Sequence, residues 1–168
     1  MVGDSFNRKK CQINLQELGK ALEEYATRYY AYPDADGDGQ ADTGRRLLED
    51  LRTLGPAPPL KFKPDEASRT QPGARQSYDD YFVCPLTEKT PGPGVITYKG
   101  PGYSLEFSTP YERPVARDDD GDHPDGTIHV LYRVEVRNWK PGMPKYEWEA
   151  REVKPGTSAF AEAKRWCP

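Results

Sequence analysis

The fold is decided by residues 11–33, which read CQINLQELGKALEEYATRYYAYP. Apolar and aromatic side chains recur in this stretch at alternating spacings of four and three residues. They are Cys11, Leu15, Leu18, Leu22, Tyr25 and Tyr29. This spacing places the side chains on one face of an α-helix. Charged and amide side chains fill the positions between them, so we expect the opposite face to contact solvent.

The predicted helix extends over residues 5–31. Ser5 or Asp4 can cap its start, and Pro33 disfavours helical dihedral angles at Tyr32. A helix of about 25 residues is roughly 38 Å long. Because only one of its faces is apolar, it needs a sheet or other helices along that face.

A second, short helix is predicted after an acidic loop. Thr43 can cap it, Gly55-Pro56 ends it, and its apolar face consists of Leu47, Leu48, Leu51 and Leu54. Residues 55–77 are rich in proline and polar residues, which is typical of a long connection without regular structure.

From residue 78 the apolar pattern changes to period two, which indicates β-strands. Short strands are predicted at 81–84, 95–98 and 103–107. The clearest signal is 127–139, TIHVLYRVEVRNW, followed by a turn and the returning strand 145–153. These two strands predict an antiparallel hairpin. In the first of them, Ile128, Val130, Tyr132, Val134 and Val136 point to one face, and His129, Arg133, Glu135 and Arg137 to the other.

The tail SAFAEAKRWC predicts a final helix capped by Thr157 or Ser158. The sequence therefore predicts one α+β domain over 1–168, with a long N-terminal helix on a small antiparallel sheet and long irregular loops. Residues 5–31 form the helix. Residues 32–77 contain a metal loop, the short helix and the proline-rich connection, and residues 78–168 contain the sheet and the C-terminal helix.

Charge and hydropathy narrow the class of protein. The 168 residues carry a net charge of -3, from 24 basic and 27 acidic residues, and no basic block stands out. This balance argues against nucleic acid as a partner. The chain has no run of 18 apolar residues, so we predict no membrane-spanning segment within it.

The stretch DADGDGQAD, residues 34–42, predicts a structural calcium site. Its oxygen-bearing residues match the first, third, fifth, seventh and ninth positions of an EF-hand-like loop. They are Asp34, Asp36, Asp38, Gln40 (through its carbonyl) and Asp42. The twelfth position holds Arg45 instead of glutamate, and Glu49 is a local residue that could complete the shell. The alternative is a solvated glycine-rich turn whose aspartates cap the next helix.

A second acidic cluster, DDDGD at 118–122, contains Asp118, Asp120 and Asp122, with His123 and Asp125 after it. Its spacing is less regular, so a solvated loop is an equal alternative to a metal site. A metal-assisted hydrolase would use this cluster and His123 to activate water. No Ser-His-Asp order, phosphate loop or H-E-x-x-H motif is present, and we predict no catalytic activity.

The other chemistry-bearing residues leave alternatives open. His129 is either a surface residue or the partner of a nearby acid. The three cysteines lack C-x-x-C spacing and allow at most one internal disulfide. Cys84 and Cys167 are the candidate pair, and unpaired buried thiols are the alternative.

Residues 11–33 resemble the segment after the transmembrane helix of bacterial pilin-like and pseudopilin-like proteins. That segment commonly reads Cys-x-x-Asn-Leu-x-x-Leu/Ile-Gly-x-Ala-Leu, followed by a tyrosine and a proline. The matching residues are Cys11, Asn14, Leu15, Leu18, Gly19, Ala21, Leu22, Tyr25 and Pro33. FVCP at 82–85 and DGDHPDGTIHVLY at 120–132 resemble regions of the prepilin-type processing-associated subgroup.

Two departures from the family pattern stand out. Nine residues after His123 the family has Asp-Gly, whereas this chain has Arg133-Val134, so we expect the strand to continue and turn at Pro141-Gly142. The apolar N-terminal segment of some 20 residues that anchors and assembles the family is not in this sequence. We expect it to precede residue 1 in the natural protein.

The resemblance implies a structural subunit of a pilus or pseudopilus, as in type II secretion, whose partners are copies of itself or related pilin-like subunits. It also implies a calcium-stabilised loop, an extracellular or periplasmic location, and inner-membrane anchoring of the full-length form before assembly. The alternative is a free-standing extracellular calcium-binding adhesion or carbohydrate-binding module. Trp139, Trp148 or Trp166 would then be its sugar platform.

Overall fold

The long N-terminal helix forms as predicted. The computed structural model describes residues 2–54, 78–92, 94–119, 121–143 and 145–168. Helix α1 spans Val2–Tyr29, and the chain leaves it at Tyr30, whose φ is 60°. The stripe residues Cys11, Leu15, Leu18 and Leu22 are fully buried. Tyr29 is 47% exposed, so the buried stripe ends before the helix does.

Helix α2 spans Arg45–Leu54. Leu47, Leu48 and Leu51 are buried in the same core as the α1 stripe. The predicted connection at 55–77 lies outside the described residues.

The three predicted short strands do not form. Residues Tyr78–Phe82 make a 3-10 helix, and the regions 95–98 and 103–107 contribute no strand, although an isolated bridge joins Lys99 to Arg117. The first prediction was wrong because this segment is tied to α1 by a side chain: Asn14 Nδ2 donates to the carbonyl of Val83. In the segment 95–98, the backbone N–H of Thr97 donates to Phe82 O, and the Thr97 hydroxyl accepts from Cys84 N. These bonds take the place of the backbone hydrogen bonds to a neighbouring strand.

The sheet has three antiparallel strands in the order β1-β2-β3. Strand β1 spans Pro114–Arg117, β2 spans Ile128–Glu135 and β3 spans Tyr146–Val153. The predicted hairpin is confirmed, with Ile128 opposite Val153 and Glu135 opposite Tyr146.

Helices cover both faces of the sheet. Leu131, Trp148 and Ala150 face the α1 core. The opposite face, with Ile128, Val130, Tyr132 and Val134, packs with Ala163 of helix α3, which spans Ser158–Trp166. Thr157 caps α3 as predicted, since its hydroxyl accepts from Phe160 N. The observed architecture is α+β, with the long N-terminal helix packed on the small sheet.

Double coverage explains why β2 is buried from Ile128 to Val134. Two polar side chains on this strand, His129 and Arg133, are each only 1% exposed. His129 lies on the face of the sheet that α1 covers, and its side chain is close to Cys11 of α1.

Candidate functional site

Three of the predicted loop ligands meet after α1. Asp34, Asp36 and Asp42 each offer a carboxylate oxygen, and the three oxygens lie within 4.8 Å of one another. Asp34 is partly exposed, Asp36 is exposed and Asp42 is 7% exposed. The group therefore lies at the edge of the core, open to solvent on one side.

Backbone hydrogen bonds fix the shape of this acidic loop. Asp34 Oδ1 accepts from Gly37 N at 3.0 Å, and Asp34 Oδ2 accepts from Gly39 N at 2.9 Å. Both glycines have positive φ, 69° and 87°, which residues with a Cβ rarely adopt. Asp42 closes the loop, because its N–H donates to Pro33 O at 2.9 Å.

The other two predicted loop residues are not in this carboxylate group. Asp38 Oδ1 accepts from Gln40 N at 2.9 Å, and both residues are exposed. Glu49, the residue expected to complete the shell, instead pairs with Arg45 Nε at 3.2 Å.

Asp50 on α2 adjoins this carboxylate group through Asp42, and the sequence analysis did not identify it. It is 5% exposed, its carboxyl group is hydrogen-bonded to that of Asp42, and its Oδ2 has no partner among the described residues. Burial and the neighbouring Asp42 raise the pKa of Asp50 to about 7. The sequence does indicate that Asp50 points inward. It follows the buried Leu47 by three residues, so both lie on the inner face of α2.

A second cluster lies in the interior, between α1 and the sheet. Its members are Cys11 on α1, Asp118 after β1, His123 in the β1–β2 loop and His129 on β2. Their exposed fractions do not exceed 2%. One ligand atom from each lies within 4.8 Å of the others. We name this set the buried cluster.

Asp118 is the centre of the buried cluster. Its Oδ2 lies 2.8 Å from His123 Nε2, 3.1 Å from Cys11 Sγ and 3.3 Å from His129 Nδ1. Its Oδ1 accepts from the backbone N–H of His129 at 2.8 Å. The carboxylate is thus oriented by β2 and directed at three side chains.

Two further polar side chains adjoin the buried cluster. Cys84 Sγ lies 3.6 Å from His123 Nε2 and is hydrogen-bonded to the Cys11 thiol. Tyr98 is 1% exposed, and its hydroxyl donates to Cys11 Sγ at 3.5 Å.

Electrostatics couple the members of the buried cluster. Burial raises the pKa of Asp118, but the adjacent His123 and His129 outweigh it and hold the pKa below its usual value. Burial lowers the pKa of His123, but Asp118 and Cys84 outweigh it and raise the pKa to about 10. Burial also raises the pKa of the Cys11 thiol. With protons alone, the cluster holds an Asp118 carboxylate beside a His123 imidazolium.

The aspartates of the second acidic cluster lie in different surroundings. Asp118 belongs to the buried cluster, whereas Asp122 is partly exposed and its Oδ2 accepts from Asp119 N at 3.2 Å. Asp120 lies outside the described residues. The reason is that Asp118 directly follows β1 and points inward, while Asp122 lies in the loop beyond it.

The Cys84–Cys167 disulfide is not formed, and Cys11, Cys84 and Cys167 are all free and buried. Cys84 faces Cys11 and His123, as described above. Cys167 instead ends α3, where its carbonyl accepts from Arg117 Nε at 2.7 Å. The two thiols of the predicted pair therefore have different surroundings.

The residues of the two alternative functions lie in different surroundings. The side chains of Asp118 and His123 are 0% exposed, so a substrate has no access to them in this conformation. Among the tryptophans, Trp148 is buried at 7% and cannot form a sugar platform. Trp166 packs edge-on to Tyr103, at a centroid distance of 5.7 Å, and Trp139 is 44% exposed.

No protein-family model, curated protein or solved structure matches this chain. Within the described part of the chain, no helix combines the length and the apolarity that crossing a membrane requires. The function is therefore inferred from the residues and their geometry.

Proposed function

We propose that this chain is the head of a pilin-like or pseudopilin-like structural subunit and that its acidic loop binds a calcium ion. The observation that carries the proposal is the packing of α1 along the sheet, with an oxygen-rich loop directly after the helix. Its location would be extracellular or periplasmic. Its partners would be copies of itself or related subunits.

The residues that carry the resemblance to pilin-like proteins hold this packing together. Asn14 is fully buried, and its Nδ2 donates to Asp80 O and Val83 O, each at 3.2 Å. Leu15 and Leu18 are fully buried in the core that includes Trp148. Asn14 thus joins the helix to the 3-10 segment, and Leu15 and Leu18 pack it against the sheet, which supports a head built on that helix.

The outer face of α1 offers a surface for lateral contact between subunits. Phe6 is 67% exposed and Ile13 is 44% exposed. They are seven residues apart, so they lie on the same side of the helix. Neither belongs to the buried core on either face of the sheet.

Calcium fits the acidic loop for two physical reasons. Carboxylates packed this closely repel one another unless a cation compensates their charge, and calcium prefers several carboxylate and carbonyl oxygens on a flexible loop. The unpartnered Oδ2 of Asp50 is one oxygen beyond the three of Asp34, Asp36 and Asp42. Bound calcium would brace the segment that joins α1 to α2.

Thermal unfolding with calcium and with a chelator tests the metal part of the proposal. At a calcium concentration about 100 times Kd, binding stabilises a protein by about 2.7 kcal/mol. For a chain of this size, that corresponds to a rise in Tm of roughly 5–10 °C. Asp36→Asn should abolish the rise, because Asp36 belongs to the carboxylate group. Asp38→Asn is the matched control and should retain most of it. An equal Tm of the unmodified chain in calcium and in chelator would contradict calcium binding.

Photo-crosslinking in the native host tests the subunit part. A crosslinking amino acid at Ile13 should yield adducts with copies of this chain or with other pilin-like subunits. The control position is Glu162 of α3, which is exposed but distant from α1 and which should yield fewer of them. Adducts only with unrelated proteins, or none at all, would contradict the structural role.

A further inference from the structure

His129 has a buried ring nitrogen without a hydrogen bond. Its Nδ1 lies 3.3 Å from Asp118 Oδ2, but the approach does not have the geometry of a hydrogen bond, and Nδ1 has no partner among the described residues. The residue is 1% exposed. A buried polar atom without a partner is costly, so this nitrogen points to a ligand within the buried cluster.

The donor set of the buried cluster is one that transition metals prefer. It contains the thiol sulfur of Cys11, the imidazole nitrogens of His123 and His129, and the carboxylate oxygen of Asp118. Sulfur, nitrogen and oxygen donors in fourfold coordination are typical of zinc. Calcium and magnesium take oxygen donors almost exclusively, so the buried cluster and the acidic loop suit different ions.

The distances fit a tetrahedral ion after small side-chain movements. Zinc bonds of about 2.0–2.3 Å place neighbouring donor atoms roughly 3.3–3.7 Å apart. Three pairs, all involving Asp118 Oδ2, are separated by 2.8, 3.1 and 3.3 Å, and every pair lies within 4.8 Å. Movements of a few tenths of an ångström at some donors and up to about an ångström at others would place all four around one ion.

Charge balance in the dry interior also favours a divalent ion. A Zn²⁺ ion with the Cys11 thiolate, the Asp118 carboxylate and two neutral imidazoles has a net charge of zero. A neutral set avoids the large cost of burying an uncompensated charge. Tyr98 Oη, which donates to Cys11 Sγ at 3.5 Å, would stabilise that thiolate further.

A second layer of contacts orients two of the ligands, as is usual around bound metals. Thr127 Oγ1 lies 3.4 Å from His123 Nδ1 and donates to Asp125 Oδ1 at 2.7 Å. His123 Nδ1–H can therefore donate outward while Nε2 faces the ion. Asp118 Oδ1 is held by the backbone N–H of His129, which leaves Oδ2 for the ion.

We propose that Cys11, Asp118, His123 and His129 bind a zinc ion that fixes α1 to the sheet. The site is structural, because its four protein donors fill a tetrahedron and the site is closed to solvent. Cys84 adjoins the Cys11 sulfur and is not one of the four ligands. This site is separate from the calcium loop, so the two can be tested independently.

Two other states of the cluster compete with zinc. In the first state no metal ion is bound, and the Asp118 carboxylate is paired with a protonated His123 imidazolium. In the second, Cys11 and Cys84 form a disulfide. Neither provides a partner for His129 Nδ1.

Titration of the chelator-treated, reduced chain with Co²⁺ as a spectroscopic probe tests the proposal. We expect one equivalent of tightly bound Co²⁺, with visible bands of tetrahedral geometry and a near-ultraviolet thiolate-to-cobalt band that Zn²⁺ displaces. The chain purified without chelator should contain one zinc per molecule by elemental analysis. Absence of both metals from a chain that circular dichroism shows to be folded would overturn the proposal.

Cysteine variants separate the ligand from its neighbours. Cys11→Ser should abolish the thiolate-to-cobalt band and weaken binding at least about 100-fold. Cys84→Ser should keep the band with at most about a tenfold loss of affinity. Cys167→Ser is the matched control for a buried thiol elsewhere and should bind like the unmodified chain.

Further outcomes would also overturn the proposal. One is an unchanged cobalt band in Cys11→Ser. Another is a native Cys11–Cys84 disulfide detected by non-reducing peptide mapping. Asp36→Asn, which disables the acidic loop, should leave the cobalt band intact, because the loop contains no thiolate; loss of the band in this variant would contradict the separation of the two sites.

Discussion

Gly19 of α1 lies directly against the indole ring of Trp148 on β3. A Cβ atom at residue 19 would lie 2.7 Å from Trp148 Cγ and Cδ2, which is closer than real Cβ contacts come. The absence of a side chain at this position therefore sets how closely the helix and the sheet approach.

We predict that Gly19→Ala destabilises the chain although alanine favours helix formation. The gain in helix propensity is about 1 kcal/mol, whereas overlap with the Trp148 ring costs about 1–3 kcal/mol and outweighs it in so tight a contact. The urea midpoint should fall. Combining Gly19→Ala with Trp148→Leu should show a coupling of about 1 kcal/mol in a double-mutant cycle.

Gly92→Ala is the control, because a Cβ there meets nothing within 4 Å. A Gly19→Ala variant as stable as the unmodified chain would refute the close contact.

Asn14 joins α1 to the segment around the 3-10 helix, and we predict that Asn14→Ala lowers the free energy of unfolding by about 1–3 kcal/mol. The alanine would leave the carbonyls of Asp80 and Val83 without this donor. Denaturant unfolding measures the change. Ile13→Ala, at the adjacent position that is 44% exposed, should change stability by no more than about 0.5 kcal/mol.

Asp50 should make stability depend on pH when calcium is removed. Its pKa rises from 3.8 to about 7 in the fold, mainly through burial. A carboxyl group whose pKa is raised by folding reduces stability as pH increases from its unfolded pKa to its folded pKa. The chelated chain should therefore lose stability between pH 4 and pH 7.

Asp50→Asn should remove this pH dependence from the chelated chain and also weaken calcium binding. At pH 8 this variant should therefore have a higher Tm than the unmodified chain in chelator. Its Tm should rise less when calcium is added. Thermal unfolding across pH measures both. Glu49→Gln, at the neighbouring position paired with Arg45, should show neither effect. An identical pH profile for Asp50→Asn and the unmodified chain would exclude this role for Asp50.

Arg133 holds the irregular segment before β1 through its guanidinium group. Nη1 donates to Tyr32 Oη and Glu106 O, each at 3.1 Å, and Nη2 donates to Phe107 O at 3.4 Å and to Thr109 O. A single lysine ammonium cannot reproduce this planar fork. We predict that Arg133→Lys lowers the free energy of unfolding by about 3 kcal/mol.

The matched control for this variant is Arg151→Lys. Arg151 is partly exposed and pairs with Glu112 at 3.1 Å and Glu149 at 2.8 Å. Ion pairs at the surface contribute about 1 kcal/mol or less, so this variant should remain close to the unmodified chain. An equal loss of unfolding free energy in the two variants would show that the buried hydrogen bonds of Arg133 add no stability beyond that of a surface ion pair.

Features with a strong local pattern were predictable. The α1 stripe, the β2–β3 hairpin and the Thr157 cap each depend on spacings of two to four residues, which fix which side chains share a face. The acidic spacing from Asp34 to Asp42 is local in the same way, whereas the contact of Asp50 on α2 with Asp42 is not.

Features that depend on a distant partner were not predictable. A short apolar segment becomes a strand only if another strand is adjacent to pair with it. Residues 81–84 therefore failed as a strand, whereas Pro114–Arg117 paired with β2 without a signal of its own. Likewise, the polar residues His129 and Arg133 were assigned to the second face of β2, but nothing local shows that α1 covers that face.

The sequence by itself determined a long helix with one apolar face, a hairpin and an acidic turn, because each is encoded between near neighbours. Only the tertiary structure decided that Cys11 meets Asp118, 107 residues later, and that His123 and His129 surround the same oxygen. The path of the chain through space sets such meetings, and the packing of α1 on the sheet fixes that path.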